Sequence, residues 1–330
     1  MAQAETLVEV WRGPILESIH AGHVAVVDET GETVAEWGDP TTAILPRSSC
    51  KMVQALPLVT SGAADAAGLS PQRLALACSS HNGAPLHVDH VRSWLSDLSL
   101  SERDLRCGSE PSRDKDLRHA MIRDQIVPDQ THNNCSGKHT GFLTLTRHLK
   151  AGPAYLALDH PVQQAALEAF EAATGETSPG QGIDGCSAPN FACTLTGLAR
   201  AMAGFASAGG GDTLSDAKVQ LRQAMMAHPD LVAGEGRACT NLMRACEGRA
   251  AIKTGAEGVF VAILPERKLG IALKIADGAT RAAETAITAL LVKFGALDPA
   301  HPAAQGLLKV PVTNRRDIVT GYIRPAQTLI

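Results

Sequence analysis

Arg47-Ser48-Ser49-Cys50-Lys51 follows Pro46 at a point where a helix can begin. A serine and a lysine three positions apart share a helix face, about one turn from each other. Two later pieces give that spacing a use: Ser80-His81-Asn82 and Lys253-Thr254-Gly255. In order they read S-x-x-K, S-x-N and K-T-G, a set that serves serine acyl transfer. A serine hydroxyl is a weak nucleophile near neutral pH and needs a base within hydrogen-bond reach. A lysine can be that base once burial or a nearby cation makes it give up its proton. Ser48 is therefore the candidate nucleophile, with Lys51 beside it. Ser80 and Lys253 are the candidate second Ser–Lys pair, and Lys253 is alternatively the cation that tunes Lys51. Arg47, His81 and Asn82 flank these groups and are candidates to bind substrate. Gly255 suits a strand edge whose backbone a substrate must approach.

The flanking sequence supplies a scaffold. Val24-Ala25-Val26-Val27 and Val34-Ala35-Glu36-Trp37 enclose Asp28-Glu29-Thr30-Gly31, a turn signal between apolar runs, so residues 7–37 predict strands including a hairpin. Residues 48–59 have helical spacing, with Pro57 as a break or bend. Helices are also predicted at about 87–98, 140–149, 161–174, 195–208, 213–228, 239–246 and 279–294. A Gly-rich loop is expected at 180–189. Strands return at 252–254, 259–264 and 269–274, and the tail from 298 to 330 reads as irregular. The resulting expectation is one α+β catalytic domain, an α/β sandwich over residues 1–330. Its antiparallel sheet is drawn from both chain ends (about 7–37 and 250–275), and its middle (about 47–248) forms a helical lobe, as in serine β-lactamase and glutaminase-like folds.

Composition narrows the class. The 330 residues are 45% hydrophobic but only 3% aromatic, so the core is built from aliphatic side chains. A net charge of −4 with mixed signs gives no basic tract for phosphates, which argues against nucleic acid. The first ten residues carry Glu5 and Glu9 and resemble no leader, and no apolar run reaches membrane-spanning length. These features point to the cytoplasm. There the eight cysteines stay reduced, and no C-x-x-C pair suggests a zinc ribbon.

A second cluster stands out. Cys135, Lys138 and His139 crowd within Asn133–His139, and Cys186 lies beside Asp184 in the Gly-rich loop. Two cysteines and one nitrogen would give zinc three ligands and an open fourth position. Spacing alone favours His139 as the nitrogen, since residues 135 and 139 share a helix face. A buried structural cysteine pair, or a thiol activated by Lys138, is the other reading.

At these residues the chain resembles the rhizobial-type (class 3) bacterial L-asparaginases. The matching pieces are Arg47–Lys51, Cys78-Ser79-Ser80-His81, Leu105-Arg106-Cys107-Gly108, Asn134-Cys135-Ser136-Gly137-Lys138-His139, Asp184-Gly185-Cys186, and His228-Pro229 through Val232-Ala233-Gly234-Glu235-Gly236-Arg237. The resemblance implies a serine β-lactamase-like homodimer that hydrolyses L-asparagine to aspartate and ammonia. It assigns Ser48 as nucleophile with Lys51 beside it, and Ser80 with Lys253 as the adjacent pair. It implies a zinc site of Cys135, Cys186 and, in place of His139, Lys138, with Asp184 beside it. Asp184 and His139 then join the candidates for substrate contact. Other readings of the same residues are a different Ser–Lys amidohydrolase, such as a serine-type glutaminase or an esterase, and a non-catalytic zinc-binding protein.

Overall fold

The computed structural model describes residues 3–330. In chain order the strands are β1 (Glu5–Arg12), β2 (Ile15–Val27), β3 (Thr33–Trp37), β4 (Ala43–Ile44), β5 (Gln181–Ile183), β6 (Pro189–Phe191), β7 (Cys193–Thr194), β8 (Ala251–Thr254), β9 (Val259–Leu264), β10 (Leu269–Ile275), β11 (Val310–Thr313) and β12 (Val319–Pro325). The chain divides into two compact units. One takes the N-terminal residues through Ser49, Cys193–Ser207 and Asn241–Ile330; the other takes Cys50–Ala192 and Ala208–Thr240.

The first unit carries an antiparallel sheet in the order β11-β12-β1-β2-β10-β9-β8, with β3 also paired to β2. Its centre follows from composition: Val24–Val27 and Val259–Leu264 are runs of β-branched and aliphatic residues, buried at every position. Such runs have no polar face to give to water, so both faces of β9 are covered. The helix Leu195–Ser207 packs on β2, β9 and β10, and the helix Thr280–Lys293 packs on β1, β9, β10 and β12. Gly270 lets the first of these helices lie against β10, since a side chain there would strike the backbone at Ala199 and Ala203. The hairpin turn forms as read, with Asp28 accepting hydrogen bonds from the backbone of Thr30 and Glu32.

The tail departs from its sequence reading. Residues 302–308 are helical, β11 pairs with β12, and β12 pairs with β1 in the register Val8↔Pro325 to Arg12↔Gly321. Pro311, Gly321 and Pro325 read as breakers. Yet Gly321 is where β12 comes so close to the Trp11 carbonyl that no side chain would fit, and the prolines lie on strands near the sheet edge.

The second unit is mainly helical. Its longer helices are Pro71–Ala77, Pro85–Asp97, Lys115–Arg123, Ser136–His148, Pro161–Thr174 and Thr213–Ala227. Several start with proline at the first turn, where its missing N–H costs nothing. The stretch expected as one helix over 48–59 is instead a 3-10 turn, Arg47–Cys50, followed by Lys51–Gln54 and Leu56–Thr60. The break precedes Pro57, as proline chemistry requires. The helix after Asn133–Cys135 begins at Ser136 rather than Thr140, because Gly137 seats it against the Leu76 carbonyl. The expected Gly-rich loop is a short hairpin of β5 and β6.

Candidate active site

The 3-10 turn Arg47–Cys50 carries the proposed nucleophile. Ser48 is partly exposed, while Ser49 is buried and ties the turn back to the Pro46 carbonyl through its hydroxyl (2.8 Å). Arg47 holds a left-handed backbone conformation, φ 55°, uncommon for a residue with a side chain. In the same unit, β8 runs Ala251–Thr254 and delivers Lys253. The strand's end meets the serine turn directly. A Cβ on Gly255 would stand 2.7 Å from the Pro46 carbonyl oxygen and 3.3 Å from the Ser49 Cβ. Glycine is thus what lets the K-T-G segment lie against the turn that bears Ser48. Lys253 is 1% exposed and donates to the Thr254 carbonyl at 2.8 Å.

Lys51 and Ser80 belong to the second unit and are hydrogen-bonded. Lys51 Nζ donates to Ser80 Oγ at 3.0 Å, to Cys135 Sγ at 3.1 Å and to the Ser79 carbonyl. Lys51 is fully buried and Ser80 is 3% exposed. Three acceptors thus surround the Lys51 nitrogen. The loop carrying Ser80 is fixed on both sides: Ser80 N–H donates to the Val232 carbonyl (2.8 Å) and His81 N–H to that of Asn134 (3.1 Å).

His81 and Asn82 are anchors of this loop. His81 Nδ1 accepts from Gly83 N–H (3.0 Å), so its proton sits on Nε2 and is donated to Ser136 Oγ (2.9 Å), which in turn donates to the Thr131 carbonyl. Burial, aided by the stacked His87 ring at 4.7 Å, holds the His81 imidazole neutral, well below its usual range. Asn82 donates to the Glu235 carbonyl and accepts from Arg237 Nη1 (3.0 Å). Gly234, at φ 115°, leaves room for the Asn82 side chain, which a Cβ would meet at 2.6 Å.

The second cluster is also assembled within this unit. Asn133 Oδ1 caps Cys135 N–H at 2.8 Å, and Glu110 receives both the backbone and side-chain N–H of Asn134. Cys186 rides the turn between β5 and β6, where Asp184 accepts from Gly185 N–H at 2.7 Å. Lys138 Nζ lies 3.1 Å from Cys186 Sγ, and Cys135, Lys138 and Cys186 are each 3% exposed. A hydrogen bond from Cys135 outweighs burial and, with the Lys138 charge, brings the Cys186 thiol down to about 5. The same bond and burial push Cys135 up to about 12. Burial alone would lower Lys138, but the facing Cys186 and Cys135 sulfurs raise it above its usual value. Cys135 Sγ also lies in reach of Asn134 Oδ1, to which it donates at 3.2 Å, and Cys186 is the more acidic of the two thiols. Cys50, buried beside Lys51 in sequence, is pushed to about 12 by desolvation and stays a thiol.

The nitrogen that reaches a cysteine sulfur is that of Lys138. His139 turns elsewhere: its Nδ1 is bonded to the Tyr155 hydroxyl (2.8 Å), which accepts from Arg106 N–H, and its buried Nε2 has no hydrogen-bond partner. Among the described residues no group of three His, Cys, Asp or Glu side chains is arranged to hold a metal, so a metal here depends on the lysine. Glu110 and Tyr155 were not singled out in the sequence. Each sits far along the chain from the group it holds, with no local pattern to mark it.

Comparison with known proteins gives a family and a fold. A family model described as L-asparaginase II matches residues 8–325. No curated protein sequence matches the chain. Among solved structures the chain is similar to Mglu in its tris and glutamate form, at 14% identity and TM-score 0.50, over 90% of this chain and 64% of that one. It thus spans 64% of the length of that protein. A second crystal structure of Mglu aligns at 16% identity and TM-score 0.49, over 89% of this chain and 72% of that one. A beta-lactamase from Mycobacterium bovis aligns at 14% identity and TM-score 0.44, over 83% of this chain and 94% of that one. The first of these likenesses speaks to fold, an α+β architecture with an antiparallel sheet.

Proposed function

Because the chain belongs to the L-asparaginase II family, we propose that it is a Ser–Lys amidohydrolase that converts L-asparagine to L-aspartate and ammonia. The observation that carries this reading is the buried Lys51–Ser80 hydrogen bond at 3.0 Å, formed by the lysine of the S-x-x-K piece and the serine of the S-x-N piece. Ser48 Oγ attacks the side-chain amide carbon of asparagine. The C–N bond breaks, and the nitrogen leaves as ammonia with a proton passed along the Lys51–Ser80 pair. Water then cleaves the ester on Ser48 and releases the second carboxylate. Lys253 is assigned to the same proton relay, and Arg47 and Asp184 to the substrate's charged groups. His81 and Asn82 act by holding the Ser80 loop rather than by touching substrate, and His139 supports the Lys138 helix from within.

The donor set of Cys135, Cys186 and Lys138 fits zinc: two sulfurs and a nitrogen, buried, with a fourth position left over. Bound there, zinc would supply a Lewis acid that orients a polar group of the substrate. Cys135 and Lys138 must each lose a proton to ligate, so uptake of the metal falls with acidity. Asp184 braces the turn that presents Cys186. The family resemblance further supports a homodimer, which light scattering would test. It also supports work in the cytoplasm, where eight buried free thiols persist.

The test is ammonia release from L-asparagine and from L-glutamine, with and without added zinc. The proposal expects turnover of asparagine well above that of glutamine. A preference for glutamine would move the assignment to another amidohydrolase, and no turnover of either would remove it.

A further inference from the structure

Gln54 closes the short helix Lys51–Gln54 and is 7% exposed. Its side-chain oxygen, Oε1, is buried and has no hydrogen-bond partner among the described residues. A buried acceptor left unpaired costs free energy, so a donor is called for at this atom. Gln54 lines a cavity of about 10 Å³, space for a single water molecule. Lys138 lines it too, and the other walls, Leu58, Ala77, Phe142 and Leu145 among them, are apolar. All of these residues belong to the second unit.

Lys138 Nζ lies 5.6 Å from the centroid of the Phe142 ring, so its amine end reaches the cavity wall and not only its stem. That nitrogen gives one proton to Cys186 Sγ at 3.1 Å. It has more to give. An ammonium carries three protons, and an amine that binds a metal through its lone pair still carries two. A wholly apolar void stays dry, but a void with a carbonyl oxygen on one wall and an N–H donor on another offers the two partners that a buried water needs. The direction of the bonds is fixed as well. Gln54 Oε1 can only accept, so the water donates to it and turns its own oxygen to accept from Lys138.

We propose that one fixed water occupies this cavity and joins Gln54 to Lys138, which makes Gln54 the positioning residue for the Lys138 nitrogen. Lysine is a point charge on a flexible four-carbon stem. Cys186 holds the nitrogen on one side, and the water on Gln54 holds it on the other. The same bridge serves a free ammonium and a metal-bound amine, since each keeps an N–H for the water. Its consequence for zinc rests on the reading of Lys138 as a ligand; the water itself does not.

High-resolution crystal structures of the full-length protein, unaltered and as Gln54→Glu and Gln54→Met, test the water. The unaltered protein should show one ordered water within about 3.2 Å of both Gln54 Oε1 and Lys138 Nζ. Glutamate keeps an acceptor oxygen and should keep the water. Methionine is similar in length but offers no such oxygen, and should lose it. A cavity with no ordered water in the unaltered protein, or the same water unmoved in Gln54→Met, would overturn the proposal. Zinc affinity, measured by competition with a chelator, tests the positioning. Removing an outer partner of a metal ligand costs about 10- to 100-fold in affinity, and Gln54→Met should weaken zinc by that factor. Leu145→Met, on the apolar wall, should stay within about twofold of the parent. Parent-like affinity in Gln54→Met, or equal losses in the two variants, would overturn the positioning role. If the parent takes up no zinc, the metal reading fails by itself, and the crystal structures still decide the water.

Discussion

Gly255→Ala tests how the K-T-G strand meets the serine turn. The added Cβ would sit 2.7 Å from the Pro46 carbonyl oxygen and 3.0 Å from the Val259 Cβ, where ordinary contact begins at 3.4 Å. Both obstacles are poorly placed to yield. Pro46 is buried backbone at the root of the turn, and Val259 pins its partner through the Gly255 N–H bond to the Val259 carbonyl at 2.7 Å. Relief therefore requires β8 and the turn to part by about 0.7 Å. Displacing reacting groups by ~1 Å costs roughly 100-fold in rate, so a 10- to 100-fold drop in kcat is expected here. Overpacking of this kind costs about 1–3 kcal/mol of stability, which lowers the melting temperature by several degrees. Steady-state ammonia release and thermal unfolding read the two effects on one preparation. A variant with kcat within about twofold of the parent and an unchanged melting temperature would refute the claim that this contact sets the serine turn.

Two further outcomes follow from the second unit. Cys135→Ser and Cys186→Ser should each lower bound zinc by at least tenfold in affinity, read by elemental analysis after dialysis; full stoichiometry in both would reject these ligands. Stability should also fall on mild acidification. His81 and His87 are held neutral in the fold mainly by burial, so their native pKa values lie below that of an unfolded histidine. Their contribution is complete above about pH 6.5 and is lost as pH falls toward the native values. Each adds a slope approaching about 1.4 kcal/mol per pH unit in that window. Carboxylates titrate mainly below it, so a melting temperature flat between about pH 7 and 5 would contradict the assignment.

Much of the scaffold was legible because the physics there is local. Val24–Val27, Val259–Leu264 and Leu269–Lys274 announce themselves by composition, and residues 161–174 and 213–228 by helical period. The outer strands β11 and β12 were not legible. They alternate weakly and contain Pro311, Gly321 and Pro325; β12 becomes a strand by pairing with β1, some 300 residues away, and β11 by pairing with β12. The site divides in the same way. Lys51 and Ser80 were marked by motif, but as members of two different Ser–Lys pairs; the hydrogen bond between them was not read from the sequence. Lys138 could be told from His139 as the nitrogen facing Cys186 only by family resemblance, because helical spacing cannot register the Tyr155 hydroxyl that draws the histidine away. The role of Gly255 as a gap for the serine turn was also hidden, since residue 46 and residue 255 share no local pattern.

The account rests on Ser48 as the nucleophile, and the most direct measurement is the rate of ammonia release from L-asparagine by Ser48→Ala. The substitution removes one oxygen from a partly exposed turn and leaves the Ser49 tie to Pro46 in place, so the fold should survive, as circular dichroism and melting would show. The predicted result is a folded protein whose turnover is reduced by at least about 10³-fold. Turnover near that of the parent would contradict the account, whatever the fate of zinc.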